Sequence, residues 1–471
     1  MELPLPRVLF SVILFFGVVF TFLIPPMQTP DEDAHFLRAY SVSQGHILPR
    51  KNGDDCGDVS KALASDLNNY SDMKGQVGQK YTYLRWRADA YAIEDLRPQT
   101  RYCYSAQTAS PLLYVPPVIG IIIGRLIYWA SPLQHQTFNW MAANHFAHLG
   151  NVLAWALVAS LACAWAARFG AVIFGLATLP MVIQASASSS YDVTTLSAGL
   201  LFLALVVKIA TRQDRPTRWE TVGLIGLGFL VAHAKLVYAP EVAVVWALKR
   251  WMPRRAFLYL CGCLVLAVLV GIITGAGQQT ATAHETQLQH EQLGQILLHP
   301  GRLLMRFLYT LGQERDYYTV SFLGDFGWLD TMAPLPLLML VWATLICAVV
   351  GDALRGPSPL GWTGSGLLVA AALASFLGVH VALYVIWTAK VEGVGNTLMT
   401  GVQGRYLLPI ALPLMVAIAA GPATLARKAG AARINLLNTQ VVVTLATLTI
   451  CALVLLARFW LPDPAAISPG P

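Results

Sequence analysis

Residues 8–24 read VLFSVILFFGVVFTFLI, an uncharged apolar run close to the roughly 20 residues that a helix needs to cross a bilayer. Arg7 precedes the run, and Pro25 and Pro26 follow it. Because no small-residue cleavage site follows the run, we predict a first membrane span that is kept rather than a removable signal peptide. The amino-terminal end of this span then lies in the cytoplasm.

The composition of the chain indicates the same class of fold. Of its 471 residues, 56% are hydrophobic and 12% are charged, whereas soluble domains carry about 25% charged residues. These values exclude a cytosolic enzyme, a nucleic-acid-binding protein and a disordered chain as the main description. We therefore predict an all-α polytopic membrane protein with about 11 to 12 transmembrane helices. Further apolar runs lie near residues 112–129, 143–167, 171–183, 193–209, 222–236, 237–248, 257–274, 335–350, 367–387, 406–425 and 441–460.

Three basic clusters decide which loops are cytoplasmic, because Lys and Arg concentrate on that side of a membrane. With all three clusters inside, residues 25–110, 186–192, 275–334 and 388–404 lie outside. Counting every run as a full span would instead place Asp192 inside, so we expect one run between residues 112 and 183 to be short, re-entrant or interfacial. The clusters are Lys208/Arg212/Arg215/Arg218, Lys249/Arg250/Arg254/Arg255 and Arg427/Lys428/Arg433.

The outside loops define the predicted organisation of the chain. Cys56 and Cys103 share the first outer loop, and in an oxidising compartment we predict a disulfide between them. The predicted regions are a first transmembrane helix (1–24), an outer loop with juxtamembrane helices (25–110), a transmembrane bundle (111–275), a second outer loop (276–333), carboxy-terminal transmembrane helices (334–461) and a disordered tail (462–471).

An acidic motif follows the first span and reads Thr29-Pro-Asp-Glu-Asp-Ala-His-Phe-Leu-Arg38. One interpretation is a capping box, with Thr29 as N-cap and Glu32 three residues later. Capping does not require three consecutive acids, and His35 and Arg38 would share a helical face with Asp31. Clustered ionisable groups beside a bilayer favour a reactive site, so both interpretations stay open.

Further candidate groups stand beside later apolar runs. Asp192 ends the stretch Gln184-Ala-Ser-Ala-Ser-Ser-Ser-Tyr-Asp192, where it could cap the next helix or serve a site. Arg405, in Gly401-Val-Gln-Gly-Arg-Tyr406, could snorkel to the membrane surface or bind a lipid-linked phosphate. Lys235 needs an acidic partner or an anion at its position and is a second phosphate candidate. Trp328 could belong to an interfacial aromatic belt or stack on a sugar ring.

Five motifs together carry a resemblance: Pro30-Asp-Glu-x-x-His-Phe-x-Arg-Ala-Tyr40, Gln184-x-Ser-x-Ser-x-Ser-Tyr-Asp192, Lys235-Leu-Val-Tyr238, Gly324-x-Phe-Gly-Trp-Leu-Asp-Thr331 and Gly401-Val-Gln-Gly-Arg-Tyr406. They run from the first span to the eleventh. By these motifs the chain resembles the bacterial membrane-protein family catalogued as domain of unknown function twenty-one forty-two.

That family in turn resembles the GT-C glycosyltransferases, which take a sugar from a polyprenyl-phosphate donor on the outer leaflet. Protein O-mannosyltransferases carry a similar Asp-Glu-x-x-His-Phe motif, which matches Asp31, Glu32, His35 and Phe36. The aminoarabinose transferases that act on lipid A have a first-loop acid and a second acid before a later span, which Asp31 and Asp192 could match. The resemblance implies a GT-C-like bundle in a bacterial inner membrane with its active site facing outward.

The resemblance also implies roles for the candidate residues. Asp31 would be the general base, with Glu32 or His35 holding its orientation. Attack by a single base predicts inversion at the anomeric carbon. We expect no cofactor and no metal, although the acids could bind a divalent ion. The implied partners are a polyprenyl-phosphate sugar, a glycan or glycolipid acceptor and the bilayer, with no nucleic acid. The implied substrate-binding residues are Arg38, Asp192, Lys235, Trp328, Gln403, Arg405 and Tyr406.

Two other functions would also use polar groups near a membrane surface. A transporter or flippase for lipid-linked glycans would place its site near the midplane on broken helices in related halves. The candidate residues instead gather at one face, and no halves match in the sequence. A glycolipid-binding subunit without catalysis is the third interpretation.

Overall fold

A computed structural model describes residues 4–48, 56–90, 100–130, 138–276, 281–420 and 430–462 of the chain. The prediction of an all-α polytopic membrane protein is confirmed. Within the described residues, eight helices are long and apolar enough to cross a membrane, and a ninth span is present if one bent helix pair counts as a single span. The predicted tail from residue 463 onward, and the basic residues Arg427 and Lys428, lie outside the described residues.

The long apolar helices form the bundle. Helix α1 packs along α6 so closely that a Cβ added at Gly17 would come within 2.5 Å of the Val152 side chain. A large cluster of buried aliphatic and aromatic side chains fills the space between the helices. The helices of the bundle are α1 (Leu5–Leu23), α5 (Val115–Ala130), α6 (Trp140–Trp165), α9 (Asp192–Arg212), α10 (Arg218–Ala234), α11 (Arg254–Ala276), α14 (Leu335–Ala353), α15 (Gly361–Leu383), α17 (Leu408–Ile418) and α18 (Gly430–Phe459).

Several predicted runs form shorter or irregular elements, which explains why fewer than 11 helices reach the length of a span. Helices α7 (Gly170–Ala177) and α8 (Pro180–Ser186) meet the expectation of a short or re-entrant run. The chain bends by 77° at the break between these two helical segments. The run at 237–248 lies in a 3-10 helix, Leu236–Trp251. A 3-10 helix rises about 2 Å per residue, so these 16 residues extend about 32 Å, close to the apolar thickness of a bilayer.

The segment between α1 and α5 folds over one end of the bundle. Strands β1 and β2 pair antiparallel and place Cys56 opposite Cys103. Cys103 is disulfide-bonded, while the free cysteines are Cys163, Cys261, Cys263, Cys347 and Cys451. The elements of this segment are α2 (Glu32–Ser43), β1 (Cys56–Val59), α3 (Lys61–Tyr70), a 3-10 turn (Ser71–Met73), α4 (Tyr83–Ala90), β2 (Thr100–Cys103) and a 3-10 turn (Pro111–Tyr114).

The remaining elements connect the bundle helices. Helix α9 begins at Asp192 and ends at Arg212, about 30 Å away, so its two termini lie at opposite ends of the bundle. We call the end that holds Asp192 the site end. The connecting elements are a 3-10 turn (Ala167–Phe169), α12 (Ala283–Leu298), α13 (Pro300–Leu323), the pair β3 (Asp325–Phe326) and β4 (Thr331–Met332), a π-helical turn (Tyr384–Thr388), α16 (Ala389–Val391) and a 3-10 turn (Gly404–Leu407).

Candidate functional site

Asp31 occupies a strained turn between α1 and α2. Its backbone is left-handed, with φ 63°, and Met27 in the same connection has φ 64°. Left-handed backbone is unfavourable for residues other than glycine and is concentrated at functional sites. The Asp31 side chain is 51% exposed, in contrast to its neighbour Glu32, which is fully buried. The turn therefore exposes the Asp31 carboxylate at the site end and buries the Glu32 carboxylate.

Arg405 contacts Asp31, although the two residues are far apart in the sequence. Its Nη2 donates to Asp31 Oδ2 at 2.5 Å, and its Nη1 donates to the carbonyl oxygen of Pro30 at 3.2 Å. Nε donates to Gln403 Oε1 at 2.7 Å, and Nη2 also reaches the Tyr406 hydroxyl at 3.2 Å. The guanidinium is only 8% exposed. Acceptor groups of the protein therefore hold the Arg405 guanidinium. This excludes the interpretation that the side chain merely snorkels to the membrane surface.

Asp192 and Lys235 complete a row of four charges. Lys235 Nζ donates to Asp192 Oδ1 at 2.8 Å, and Asp192 Oδ2 lies 3.5 Å from Arg405 Nη1. The row runs Asp31, Arg405, Asp192 and Lys235, with alternating sign and a formal sum of zero. Four residues far apart in sequence therefore meet in one cluster, which we call the charge row.

Neither of the two capping interpretations left open by the sequence describes the observed helix starts. Helix α2 begins at Glu32 with Asp31 as N-cap, although the Glu32 carboxylate does accept a hydrogen bond from the Thr29 backbone N–H at 3.2 Å. The N-cap of α9 is Tyr191, which makes no side-chain cap. The capping interpretation of Asp192 is therefore wrong, because the Asp192 carboxylate contacts Lys235 and Arg405 instead.

The electrostatic surroundings keep Asp31 ionised. Burial raises the pKa of Asp31, but the charges of Arg405 and His35 and the hydrogen bond from Arg405 lower it by more. The net pKa therefore lies below the ordinary value of an aspartic acid. As long as Arg405 stays in contact, Asp31 is an ionised but weak base.

His35 lies beside the charge row and is held by tyrosines. Its Nδ1 is 2.7 Å from the Tyr114 hydroxyl, and its ring stands edge-on to Tyr191 at 4.9 Å. Burial lowers the pKa of His35, while the charges of Asp31 and Asp192 oppose that shift. His35 Nδ1 bonds to Tyr114 and not to the Asp31 carboxylate, so the predicted role of His35 in orienting Asp31 stays a prediction.

Glu32 does not contact Asp31, contrary to the role that the sequence analysis gave it. Its carboxylate accepts hydrogen bonds from Thr29 Oγ1 at 2.7 Å and Asn144 Nδ2 at 3.3 Å, and it pairs with His148 Nε2. Glu32 and both α6 residues are at most 1% exposed. Through these contacts Glu32 links helix α6 to the turn in which Asp31 lies.

The sequence analysis missed His148 and Asn144, although a signal was present. Asn144, His148 and Asn151 occur at i, i+4 and i+7 inside an apolar run, so they share one face of a helix. Polar residues on one face of a membrane helix seek partners inside the bundle. That pattern predicts an acceptor opposite α6, and Glu32 is one such acceptor.

Arg38 was predicted to bind substrate, and the structure places it elsewhere. Its guanidinium donates to three backbone carbonyl oxygens, those of Ala109 at 2.8 Å, His46 at 3.4 Å and Ile47 at 2.9 Å. The residue is 1% exposed. Arg38 therefore holds together the segment between α1 and α5 and does not face the charge row.

Trp328 lies near the acidic turn but outside the charge row. Its indole N–H donates to the carbonyl oxygen of Met27 at 2.9 Å, and Lys74 Nζ lies 4.1 Å from the ring centre. Lys74 also pairs with Asp33 at 2.8 Å. One face of the indole is therefore occupied by a lysine, and stacking of a sugar on Trp328 stays a prediction.

A cavity of about 400 Å³ ends at the charge row. Lys235, Tyr191, Tyr238 and Tyr406 line its polar end, and Lys235 Nζ lies 4.9 Å from the ring centre of Tyr406. The rest of the lining is mainly aliphatic and comes from α10, α11, α15 and the Leu236–Trp251 helix. Leu236 is 55% exposed at the rim, so the cavity opens on the surface of the bundle. An elongated apolar ligand with an anionic end fits this shape and charge.

Within the described part of the chain, no group of three or more His, Cys, Asp or Glu side chains could hold a metal ion. The two carboxylates of the charge row face cations rather than each other. Independence of a metal remains a prediction.

The comparisons with known proteins give one match. A family model described as predicted membrane protein (DUF2142) matches residues 14–415, which include every residue of the charge row. No curated protein and no solved structure matches the chain.

Proposed function

The chain belongs to the DUF2142 family of predicted membrane proteins, and on that premise we propose that it is a GT-C-type glycosyltransferase. In this proposal it moves a sugar from a polyprenyl-phosphate donor to a glycan or glycolipid acceptor of the cell envelope, on the outer face of the inner membrane. The observation that carries the proposal is the position of Lys235. Lys235 lies at the polar end of the apolar cavity and pairs with Asp192. Asp192 and the half-exposed Asp31 both contact Arg405.

The two cations have different parts in this reaction. Lys235 has one carboxylate partner and faces the cavity, so it is the first cation that a lipid phosphate would meet. Arg405 is already bonded to Asp31, Gln403, Pro30 and Tyr406, and its Nη1 also faces Asp192 at 3.5 Å. It can bind the phosphate only by releasing one of these partners. We infer that Lys235 binds the donor phosphate and that Arg405 follows as charge develops on the leaving group.

The release of Arg405 would also activate the base. A carboxylate that loses an adjacent guanidinium regains basicity, because the nearby positive charge had favoured the ionised form. Asp31 then takes the proton of the acceptor hydroxyl as the hydroxyl oxygen bonds to the anomeric carbon. The bond from that carbon to the phosphate oxygen breaks, and the lipid phosphate leaves with the electron pair. One displacement inverts the configuration of the sugar.

An assay of donor cleavage tests the proposal. Purified protein in lipid nanodiscs is incubated with polyprenyl-phosphate sugars and candidate acceptors, and free polyprenyl phosphate and glycosylated acceptor are measured over time. We expect both products from the wild type and at least a 100-fold loss in Asp31→Asn, the size typical of a lost general base. The matched control is Asp33→Asn, an acid two residues away that pairs with Lys74.

The same preparations distinguish the enzyme from a transporter. In vesicles, movement of labelled donor across the bilayer without cleavage of the sugar–phosphate bond would contradict the glycosyltransferase proposal and favour a flippase. Equal activity of Asp31→Asn and wild type would remove Asp31 from the reaction, provided that both proteins show the same thermal unfolding.

A further inference from the structure

The junction of α12 and α13 exposes a cluster of large apolar side chains, although neither helix is a candidate span. All six are more than half exposed. We call this cluster the apolar elbow. It consists of Leu297, Leu298, Leu304, Met305, Leu308 and Tyr309.

Polar residues flank the apolar elbow on both sides. Helix α12 begins with a capping box between Thr282 and Glu285. Near the other end of α13, Arg315 and Asp316 are 77% and 90% exposed. On α13 the exposed residues Leu304, Met305, Leu308 and Tyr309 lie at i, i+1, i+4 and i+5 and therefore share one face, as in helices that lie in a membrane surface.

Contacts with α15 and the turns after it place the elbow at the level of the membrane surface. Lys390 pairs with Glu285 at 2.5 Å, and Arg306 donates to the Tyr384 hydroxyl at 2.7 Å. Both contacts are made near the end of the candidate span Gly361–Val391. The opposite end of that span lies beside the basic cluster, where Arg250 bonds to Pro359. Helices α12 and α13 therefore cross the other end of this span.

The far end of α13 also lies at the site end of the bundle. There the Gly404 N–H donates to Ser321 Oγ at 2.9 Å, next to Arg405. From Leu304 to Ser321, α13 covers about 26 Å. Because both of its ends contact the same end of the bundle, α13 runs along the membrane surface rather than through it.

We propose that the apolar elbow inserts into the lipid leaflet at the site end, down to the boundary between headgroups and acyl chains. Helix α12 packs against the Tyr384–Thr388 turn and α16 at the end of the neighbouring span, where Trp387 and Val391 are 47% and 53% exposed. Arg302, exposed one turn before Met305 on α13, would meet lipid phosphates at this depth. The inserted elbow holds α13 against Gly404. The proposal concerns membrane contact and does not depend on the reaction proposed above.

Depth-dependent fluorescence quenching tests this insertion. Met305→Cys is labelled with an NBD dye and placed in nanodiscs that hold one copy of the chain, with doxyl-labelled phosphatidylcholine as quencher. Arg315→Cys is the matched control on the same helix, and wild-type protein treated alike gives the background from native cysteines. We expect a blue-shifted emission and at least threefold stronger quenching at position 305 than at position 315.

Leu308→Cys provides a second position on the elbow if Met305→Cys fails to fold. Equal quenching at the elbow and at position 315 would overturn the proposal, because it would place the elbow in water. A blue shift that appears only when two copies share a nanodisc, without quenching by the lipid, would also overturn it and would identify the elbow as a dimer contact.

Discussion

Arg405 favours the ionised form of the Asp31 carboxylate. Arg405 lowers the pKa of Asp31 against the opposing effect of burial. A group with a lowered pKa stays ionised until the pH falls through that lower value. In the free wild-type enzyme we therefore expect the acid limb of kcat/KM to lie below about pH 4, the ordinary range of aspartic acid.

Arg405→Gln should move that limb upward, because burial then acts on Asp31 without the compensating charge. We expect a shift of roughly 1 to 3 pH units, together with a lower kcat. The measurement is the pH dependence of donor cleavage at limiting substrate. Arg315→Gln, a change at an exposed arginine outside the site, serves as control. An acid limb that does not move in Arg405→Gln would show that Arg405 does not control Asp31.

His148 fixes the acidic turn through Glu32. Removing His148 leaves the buried Glu32 carboxylate without one of its hydrogen-bond partners, which typically costs about 1–3 kcal/mol of stability and more for a charged group. We expect His148→Ala to lower the thermal unfolding temperature clearly and to reduce kcat more than it raises KM. His145→Ala, one turn earlier on α6 and stacked on Phe22, is the comparison. Similar unfolding of both variants would argue against a special role for the pair of Glu32 and His148.

At the scale of elements, the sequence predicted the charge row better than its surroundings. Asp31, Asp192, Lys235 and Arg405 could each be recognised because an ionisable group beside an apolar run needs a partner. Their pairing could not be predicted, since each partner belongs to a different helix. Arg38 shows the same limit: its sequence neighbourhood gave no indication of the three carbonyl groups that bind it.

The irregular backbone segments could not be predicted from the sequence either. Hydrophobicity located the run at 237–248, but hydrophobicity has the same value in an α-helix and in a 3-10 helix. The structure forms 16 residues of 3-10 helix there, with Pro240 inside. The bend between α7 and α8 was indicated only indirectly, by the conflict between the count of spans and the side assigned to Asp192.

The contact between α13 and the turn that carries Arg405 requires a glycine. A Cβ at position 404 would come within 2.1 Å of the Phe322 backbone nitrogen, which no side-chain rotation can relieve. We expect Gly404→Ala to displace Arg405 and to lower kcat at least tenfold. Gly312→Ala, where an added Cβ meets nothing within 4 Å, should leave activity unchanged. Donor cleavage by the two variants is the measurement, and equal activity would contradict the expected displacement.

At the scale of the whole molecule, the apolar cavity links the bilayer to the charge row. A larger side chain at Ala382, which lines the cavity on α15, should narrow the path of a prenyl chain. We expect Ala382→Phe to raise the KM for the donor about tenfold, equivalent to about 1.4 kcal/mol, with a smaller effect on kcat. Leu373→Phe changes an exposed position of the same helix and serves as control. An unchanged KM would remove the cavity from donor binding.

The balanced charges of the charge row have a consequence for turnover. Within the proposed reaction, the donor is a phosphodiester with one negative charge, whereas the spent carrier is a monoester whose charge approaches two near neutral pH. Lys235 and Arg405 therefore hold the spent carrier more tightly than they hold fresh donor. The slow step of each cycle would then be the release of the spent carrier into the bilayer. The turnover rate would be limited by this release rather than by the breaking of the sugar–phosphate bond.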